Sequence, residues 1–422
     1  MSQLSPTNPP VAALFRVGLI GFGCVGQGFY DLIRQLPALG IEVARIAVKT
    51  SGKIRSLPTK RFEFDADALV SDPTLDLLVE VIDDAEEALR LVSAALRLGR
   101  RVVTANKAML ARHLGSLLRL EAEYGGTLLY EAAVAGSIPV LRTLDAHFGG
   151  EPLQFLRGII NGSSNYVLSR MVAEGSDYAT ALAEAQQQGF AETDPALDMA
   201  GFDPRSKAVL LAAHGFGLLV HPERVLNLGI ENISPADIAF AAGRGRKIKL
   251  VAELLQLPDG QVSLAVLPRL LAADSPLYAV EREFNGIEVG AAFAGTQFFQ
   301  GRGAGGHPTG SAVLADVLAA RQGFRYGYAK LHEGQATQLA TELQAEVYLR
   351  HPTAQGLAEL ANTLGLQATI VPGQRAATGV VRLDALLARR DALREAGVFV
   401  AALGSARPAF APVSQLLETE AV

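Results

Sequence analysis

The sequence predicts an α/β fold that begins with a parallel sheet and continues into two further α+β units. Between residues 15 and 135, apolar strand-like segments alternate with amphipathic helical segments. Parallel strands joined by helices are buried on both faces, which explains their continuous apolar runs. Helical segments dominate after residue 150. The chain then ends in the order βαββαβ, which is typical of a ferredoxin-like sandwich.

The first 150 residues contain five predicted strands. A helix with a 3.6-residue apolar stripe follows the first strand, and two more helices cover 85–98 and 107–124. The strands are FRVGLI (15–20), VARIAVKT (43–50), DLLVEVI (76–82), RVVT (101–104) and TLLYEAA (127–133). We therefore predict a nucleotide-binding type of sheet domain over 15–150, after a disordered tail over 1–14.

The rest of the chain is predicted to form a domain over 151–307 and a smaller one over 341–422, the latter ending in a tail. A helix over 308–323 is expected to pack back on the first domain, and 330–343 is expected to be helical within a linker over 324–340. Other predicted elements are a strand at 155–160, helices at 164–173, 177–188 and 203–217, and an antiparallel region at 260–300. In the last unit they are strands at 345–351, 366–372, 379–383 and 398–403, with helices at 353–365 and 383–397.

Composition excludes several classes of protein. The chain has 422 residues, of which 49% are hydrophobic, and 38 Lys and Arg residues stand against 43 Asp and Glu residues. A net charge of -5 gives no basic excess for nucleic acid or an anionic membrane. No apolar run is long enough to span a bilayer. The single cysteine, Cys24, excludes an intrachain disulfide and fits a reducing cytoplasm.

A glycine-rich turn follows the first predicted strand and opens the first predicted helix. Gly21, Gly23 and Gly26 form the pattern GxGxxG, with Cys24 and Val25 inside it. In this context the glycines allow a tight turn, close approach of a pyrophosphate and helix–strand packing, as in a Rossmann-type dinucleotide site. We predict that all five residues contact a nicotinamide cofactor. The alternative is a structural turn, in which Cys24 only fills space.

The end of the second strand indicates which cofactor is bound. A site for NAD usually carries an acid there, about 20 residues after the glycines, to hold the ribose hydroxyl. This chain has Lys49 instead, with Lys53 and Arg55 just beyond. Cations at this place suit a 2′-phosphate, so we predict NADP, with NAD as the alternative. A solvated basic loop is the competing explanation.

Five segments then identify a family. RVVTANKAMLA (101–111), YEAAVAGSIPVLRTL (130–144), GIINGSSNYVLSRM (158–171), AQQQGFAETDPALDMAGFDPRSK (185–207) and GRGAGGHPTGSAVLADV (301–317) resemble homoserine dehydrogenases. The fourth segment carries the fixed positions of the family signature. They are Ala185, Gly189, Asp194, Pro195, Asp198, Gly201, Asp203 and Lys207. The resemblance runs in order from about residue 15 to 323.

The resemblance implies NAD(P)-dependent interconversion of L-homoserine and L-aspartate 4-semialdehyde, in threonine, methionine and isoleucine biosynthesis. Hydride transfer to a carbonyl also requires a proton donor. Lys207 lies four residues after Asp203 on a predicted helix, so the two share a face and Asp203 can orient the ammonium. Without the signature, an ordinary surface ion pair would be the better explanation. With it, we assign Lys207 and Asp203 to catalysis, together with Lys107.

Further residues are assigned to substrate and cofactor by the same resemblance. The acids Glu192 and Asp198 would receive the substrate ammonium, although acids before a helix also serve as caps, a role that fits Asp194 best. Backbone N–H groups at Asn161, Gly162 and Ser163 would hold the substrate carboxylate, with a serine N-cap as the alternative. Lys107 would contact both substrate and nicotinamide. Thr104, Gly303 and Gly305 complete the predicted cofactor contacts, the two glycines closing over the pyrophosphate.

The resemblance also implies a monovalent cation, such as sodium, held mainly by backbone carbonyls. By position its ligands would be Glu131, Val134, Gly136 and Ile138. A homodimer or homotetramer is expected. No kinase domain is expected before the nucleotide fold.

Three departures from the family pattern stand out. Asp83-Asp84 replace a Gly-Gly pair, and His307 stands where an apolar residue is common. The loop Arg350-His351-Pro352-Thr353 lacks the Asp and Gly of an ACT effector loop, so the last unit is predicted to be a degenerate ACT-like domain. Two other functions stay open, namely another amino-acid dehydrogenase and a nucleotide-sensing regulator without catalysis. The intact acid and lysine set argues against the regulator, because sensing requires no proton donor.

Overall fold

The computed structural model describes residues 14–332 and 336–409. Residues 1–13, which carry nearly all of the predicted N-terminal tail, lie outside the described part, as do 333–335 and the end of the chain from 410.

The first 130 residues form a parallel sheet and its helices. The strands are β1 (Phe15–Ile20), β2 (Ile41–Ala47), β3 (Leu77–Glu80), β4 (Arg101–Thr104) and β5 (Thr127–Leu129). The helices are α1 (Cys24–Gln35), α2 (Ala66–Val70), α3 (Ala85–Arg97) and α4 (Lys107–Tyr124). The Asn106 side chain caps α4 at its start, and Gly125 ends it at a φ of 72°.

The strand order β2-β1-β3-β4-β5 creates a switch point. All neighbouring pairs are parallel, and the chain leaves β1 toward β2 on one side while β3 lies on the other. Ligands of open α/β sheets bind in the crevice that such a reversal leaves at the carboxyl ends of the strands. A ligand is therefore expected at the loops after β1, β3 and β4.

The middle of the chain combines helices with long antiparallel strands. The helices are α5 (Val140–Arg142), α6 (Gly162–Glu174), α7 (Tyr178–Gln187), α8 (Ala196–Met199), α9 (Phe202–Phe216) and α10 (Pro235–Ala242). The strands are β6 (Leu153–Ile159), β7 (Leu226–Asn227), β8 (Lys247–Gln256), β9 (Val262–Leu271), β10 (Phe284–Ala291) and β11 (Gly295–Arg302).

Two helices and the C-terminal elements follow. They are α11 (Gly306–Arg321), α12 (Ala329–His332), β12 (Leu343–Arg350), α13 (Ala354–Thr363), β13 (Thr369–Ile370), β14 (Ala376–Arg382), α14 (Leu383–Leu387), α15 (Arg390–Glu395), β15 (Phe399–Ala402) and β16 (Arg407–Pro408).

A second, mixed sheet contains the strands after residue 150. Among the described residues its order is β11-β10-β6-β8-β9-β15-β12-β14-β13, with β7 beside β9 and β16 beside β12. The last four strands of that order belong to the βαββαβ segment, and their neighbours are antiparallel. A parallel bridge between Ala402 and Arg269 joins them to β9. The C-terminal elements thus continue the sheet of the preceding segment.

Contacts divide the chain into two compact units. Among the described residues, the first contains those up to Met109, Gly115–Ala132 and Gly305–Arg325, and the second contains Leu110–Leu114, Ala133–Ala304 and those from Tyr326 onward. In the first unit α11 lies against α1, where a Cβ on Gly28 would be 2.1 Å from the Gly306 carbonyl oxygen. In the second, buried apolar residues of β9 and β12 share one core. The finer domain boundaries stay predictions.

Two predicted helices differ in the structure. Of the helix expected over 330–343, the residues up to His332 are helical, 333–335 lie outside the described residues, and Gln338 and Ala340 hydrogen-bond the backbone of Val262 instead. Pairing with the edge of β9 overrides helix propensity there. The helix expected over 383–397 is broken into α14 and α15.

No helix within the described residues is both long enough and apolar enough to cross a bilayer.

Candidate functional site

The glycine turn after β1 is shaped to hold a phosphate group. Gly21 has a φ of 102°, and a Cβ on Gly26 would be 2.4 Å from the Gly21 carbonyl oxygen. Among the described residues, no heavy atom outside the two chain neighbours lies within 4 Å of a Cβ built on Gly23, so these residues leave space above the turn. Gly23 caps α1 without a side-chain hydrogen bond, which leaves the first N–H groups of α1 for an anion. These residues fit a dinucleotide pyrophosphate.

The start of α11 lies beside this turn. Gly305 caps α11 at a φ of 112°, and a Cβ on Gly306 would be 2.8 Å from the Cys24 carbonyl oxygen. Cys24 is an exposed free thiol. Two helix N-termini, both without side-chain caps, therefore meet in the first unit. Gly303, the other predicted glycine of this loop, belongs to the second unit, where a Cβ would be 1.9 Å from the Asn285 amide nitrogen.

The basic residues after β2 lie at the surface. Lys49 is 89% exposed, and its ammonium nitrogen lies 3.9 Å from an oxygen of Asp84. Asp84 also caps α3 by accepting the Glu87 N–H at 3.1 Å. The Arg55 guanidinium lies 5.2 Å from the centre of the Phe62 ring. The unexpected acid at 84 thus serves as a helix cap and as a counter-charge for Lys49.

The loops after β3 and β4 meet through a buried carboxyl group that sequence reasoning missed. Glu80 is 1% exposed and accepts the Thr104 hydroxyl at 2.5 Å and the Ile82 N–H at 2.7 Å. Burial raises the pKa of Glu80 to about 7, partly opposed by these two hydrogen bonds. Lys107, half-buried, is the first residue of α4. In the sequence, Glu80 could have been noticed only as an acid inside the apolar run DLLVEVI.

The second unit holds a buried ionic cluster at the start of α9. The Lys207 ammonium lies 2.8 Å from an Asp203 oxygen and donates to the Ile160 carbonyl at 2.8 Å. The Asn161 amide donates to Asp198 at 2.7 Å and to Asp203 at 2.8 Å. Lys207 is 8% exposed and Asp203 is 7% exposed, so this pair is not the exposed surface pair considered from the sequence.

Helix geometry explains how these groups meet. Gly201 turns the chain at a φ of 79° into α9, whose first turn carries Asp203 and whose second turn carries Lys207 on the same face. Asn161 follows β6 and caps α6 by accepting the Ser164 N–H at 2.8 Å. The N-cap of α6 is thus Asn161, and neither serine considered from the sequence holds that place. Gly162 is required there, since a Cβ would be 2.6 Å from the Glu283 carbonyl oxygen.

The remaining substrate candidates lie around this cluster or outside it. Ser163 and Asp198 are half-buried, while Glu192 is exposed and its carbonyl accepts from Gln186. The Asp194 side chain accepts the Ala196 N–H at 3.1 Å, as a capping acid does. Asn161, Asp198, Asp203 and Lys207 are brought together in one hydrogen-bonded group, and Glu192 is not part of it.

The predicted cation ligands occupy both units. Glu131 is buried in the first, where its N–H donates to Asp316 at 2.8 Å. Val134, Gly136 and Ile138 belong to the second, and Gly136 has a φ of 56°. Nearby, Asn285 is fully buried and both polar atoms of its amide lack a partner among the described residues. An orphaned amide oxygen and backbone carbonyls are oxygen donors of the type that hard cations prefer. The described residues contain no cluster of three His, Cys, Asp or Glu side chains that could hold a metal.

Comparison with known proteins agrees with this geometry. Residues 21–131 match the family "Homoserine dehydrogenase, NAD binding domain", and residues 139–318 match the family "Homoserine dehydrogenase". The homoserine dehydrogenase of Corynebacterium glutamicum is 40% identical over 350 residues, covering 79% of this chain and 76% of that protein.

Solved structures are similar as well. A homoserine dehydrogenase from Thiobacillus denitrificans superposes with a TM-score of 0.74 at 29% identity, covering 93% of this chain and 98% of that one. A hyperthermophilic archaeal homoserine dehydrogenase mutant in complex with NADPH gives a TM-score of 0.63 at 27% identity, covering 74% of this chain and 99% of that one. The chain belongs to the homoserine dehydrogenase family.

Proposed function

We propose that the chain interconverts L-homoserine and L-aspartate 4-semialdehyde, with Lys207 as the general acid and base. The observation that carries this proposal is the buried cluster of Lys207, Asp203, Asn161 and Asp198. When bound, the nicotinamide supplies or accepts the hydride. The Lys207 ammonium stabilises the developing alkoxide and gives it a proton, and in the other direction its amine takes the hydroxyl proton. Asp203 and the Ile160 carbonyl hold the Lys207 nitrogen in place.

The other polar groups of the cluster suit an amino acid. Asp198 can accept a hydrogen bond from the substrate ammonium, and Asn161 keeps Asp198 and Asp203 apart at a fixed distance. N–H groups at the start of α6 suit the substrate carboxylate, and Gly162 and Ser163 are assigned to it. The exposed Glu192 is assigned to the ammonium by the family resemblance. Lys107, on the first unit, is assigned to substrate and nicotinamide in the same way.

We further propose that NADP is the preferred cofactor. The Gly21–Gly26 turn and the two open helix starts support pyrophosphate binding, with Thr104, Gly303 and Gly305 as further contacts. Lys49, where an acid would hold the ribose of NAD, supports a 2′-phosphate contact. Asp84 moderates this contact because it lies near Lys49.

The remaining proposals rest on the resemblance. A monovalent cation would be held by Glu131, Val134, Gly136 and Ile138 and would stabilise the loop over 131–138. The C-terminal elements would be an ACT-like unit that serves assembly of a homodimer or homotetramer. The single cysteine and mild charge support a cytoplasmic location.

An absorbance assay of reduced nicotinamide formation tests the function. The protein is mixed with L-homoserine, L-serine or L-threonine, each with NADP or NAD. We expect oxidation of L-homoserine with NADP and little with the other amino acids. Oxidation of serine in preference to homoserine would favour another amino-acid dehydrogenase, and no oxidation of any of them would favour a nucleotide-sensing protein.

A further inference from the structure

We infer that Glu80 is a positioning residue, which acts through Thr104 to fix the start of α4 and hence the place of Lys107. The inference rests on the proposed function, because it gives Lys107 a role in the reaction. Every contact that supports it lies within the first unit.

Glu80 joins the ends of two neighbouring strands. It is the last residue of β3, and Thr104, the last residue of β4, is its partner in the sheet register. One carboxyl oxygen accepts the Thr104 hydroxyl at 2.5 Å, and the other accepts the Ile82 N–H at 2.7 Å. The carboxylate therefore bridges β4 and the loop after β3.

The Thr104 hydroxyl passes this constraint to α4. It accepts the Asn106 N–H at 3.0 Å, and the Asn106 side chain then accepts the Met109 N–H at 3.0 Å. The same side chain donates to the Ile82 carbonyl at 3.1 Å. The bonds form a closed ring through Glu80, Thr104, Asn106 and Ile82. Lys107 is attached directly to that ring as the residue after Asn106.

Stability of the sheet does not account for a carboxyl group at this place. Glu80 is 1% exposed, and Leu77, Leu78 and Val79 of the same strand are apolar and fully buried. Burial of the charge opposes folding, and an apolar side chain of similar volume at such a place is often neutral or stabilising. The hydrogen bonds of Glu80 to the polar loops account for a carboxyl group that the sheet itself does not require.

The location makes precise positioning valuable. The loop after β3 lies against the glycine turn, since a Cβ on Gly21 would be 2.7 Å from the Val81 carbonyl oxygen. Glu80 thus braces the end of β3, one of the two strands that flank the switch point, against the end of β4, and the reactive end of a dinucleotide is expected at that point. A displacement of about 1 Å of a catalytic group can lower turnover about 100-fold.

Glu80→Gln and Thr104→Val test the inference, alone and together, with Thr127→Val as the control. Thr127 is a buried threonine at the opposite end of the same sheet. We expect Glu80→Gln and Thr104→Val each to lower kcat for homoserine oxidation by about 10- to 100-fold. The double variant should be no worse than the worse single variant, because both changes disrupt the same ring of hydrogen bonds. Thr127→Val should stay within about twofold.

A second comparison asks whether Glu80 acts through Lys107. In a Lys107→Ala background, Glu80→Gln should lower kcat by less than about twofold, because the group that it positions is gone. If Glu80→Gln lowered kcat by the same factor with Lys107 present and with Lys107→Ala, that result would overturn the inference. So would a Lys107→Ala enzyme with wild-type kcat, or a Glu80→Gln enzyme within about twofold of wild type.

Chemical labelling separates this inference from the proposed function. The rate of lysine acetylation is followed residue by residue by mass spectrometry in the wild type and Glu80→Gln. Lys107 should react at least about threefold faster in the variant, because the start of α4 loses its brace, while Lys49 is unchanged. Equal acetylation rates at Lys107 in the two proteins would refute the positioning role of Glu80, whether or not the wild type oxidises homoserine. Failure of the wild type to oxidise homoserine would refute the proposed function.

Discussion

Replacing the ammonium of Lys207 while keeping its chain tests the assignment of the proton donor. Lys207→Met retains most of the buried volume and removes the charge and the donors. The ammonium lies 2.8 Å from Asp203 and 2.8 Å from the Ile160 carbonyl, and both side chains of the ion pair are buried. The substitution therefore removes the charged partner of a buried carboxylate that also accepts from the Asn161 amide.

Two effects of different size follow from these contacts. Leaving one partner of a buried ion pair uncompensated costs about 3–5 kcal/mol of folding free energy. Loss of general acid–base catalysis lowers turnover by about 10²–10⁴. Cofactor binding should change little, because the glycine turn that supports it lies on the first unit.

Lys249→Met is a matched control for the loss of a buried lysine. Lys249 is 1% exposed on β8, and its ammonium donates to the Val280 carbonyl at 2.6 Å and to Asn165 at 3.1 Å. We expect Lys249→Met to lower the melting temperature while kcat stays within about threefold of wild type. Lys207→Met should lower both.

The assay is steady-state homoserine oxidation below the melting temperature of every variant, with the dissociation constant of NADPH measured by fluorescence. A Lys207→Met enzyme whose kcat is within about tenfold of wild type would refute the assignment, because a lost general acid costs more than that. Lys107 or water would then be the proton donor.

Three further outcomes are expected. Lys49→Asp should lower the ratio of kcat/KM for NADP to kcat/KM for NAD by about tenfold, because the substitution removes a charge-assisted contact that exposure to solvent weakens. An unchanged ratio would show that Lys49 does not contact the cofactor. The folded protein takes up the Glu80 proton below about pH 7 but the unfolded chain only below its ordinary pKa of 4.5. Glu80 should therefore stabilise the fold increasingly as pH falls between those values, and melting curves of Glu80→Gln should lack that trend. L-Threonine should inhibit weakly or not at all; strong inhibition that disappears on deleting 341–422 would contradict a degenerate effector loop.

That last expectation has support in the loop after β12. Arg350 forms an ion pair at 2.8 Å with the buried Asp237, and the His351 ring accepts the Thr353 N–H at 3.0 Å. Thr353 caps α13 by accepting the Gly356 N–H. The residues that replace the effector-loop pattern are thus used within the fold.

Sequence patterns predicted the elements whose ends are marked by local chemistry. The helix over 107–124 has the predicted bounds, because Asn106 caps it and Gly125 ends it. The parallel sheet was predictable from its apolar strands. The extended backbone at 338–340 was not, because its pairing with Val262 depends on residues far away in sequence.

The candidate site was predictable to the extent that a family signature names its residues, and their roles stay predictions. Asp203 and Lys207 share a helix face, but their burial and the link from Asn161 arise from contacts between separate elements. Glu80 had no motif. A carboxyl group at the end of an apolar strand becomes informative only when its burial and its bond to Thr104 are seen.

The central claim is that this chain oxidises the hydroxyl group of L-homoserine to an aldehyde with a nicotinamide cofactor. The most direct measurement incubates wild-type protein with L-homoserine and NADP and quantifies both products, NADPH by absorbance and the aldehyde by trapping with a hydrazine and mass spectrometry. We predict equimolar NADPH and L-aspartate 4-semialdehyde. NADPH without the aldehyde, or neither product at any pH with sodium or potassium present, would contradict the claim.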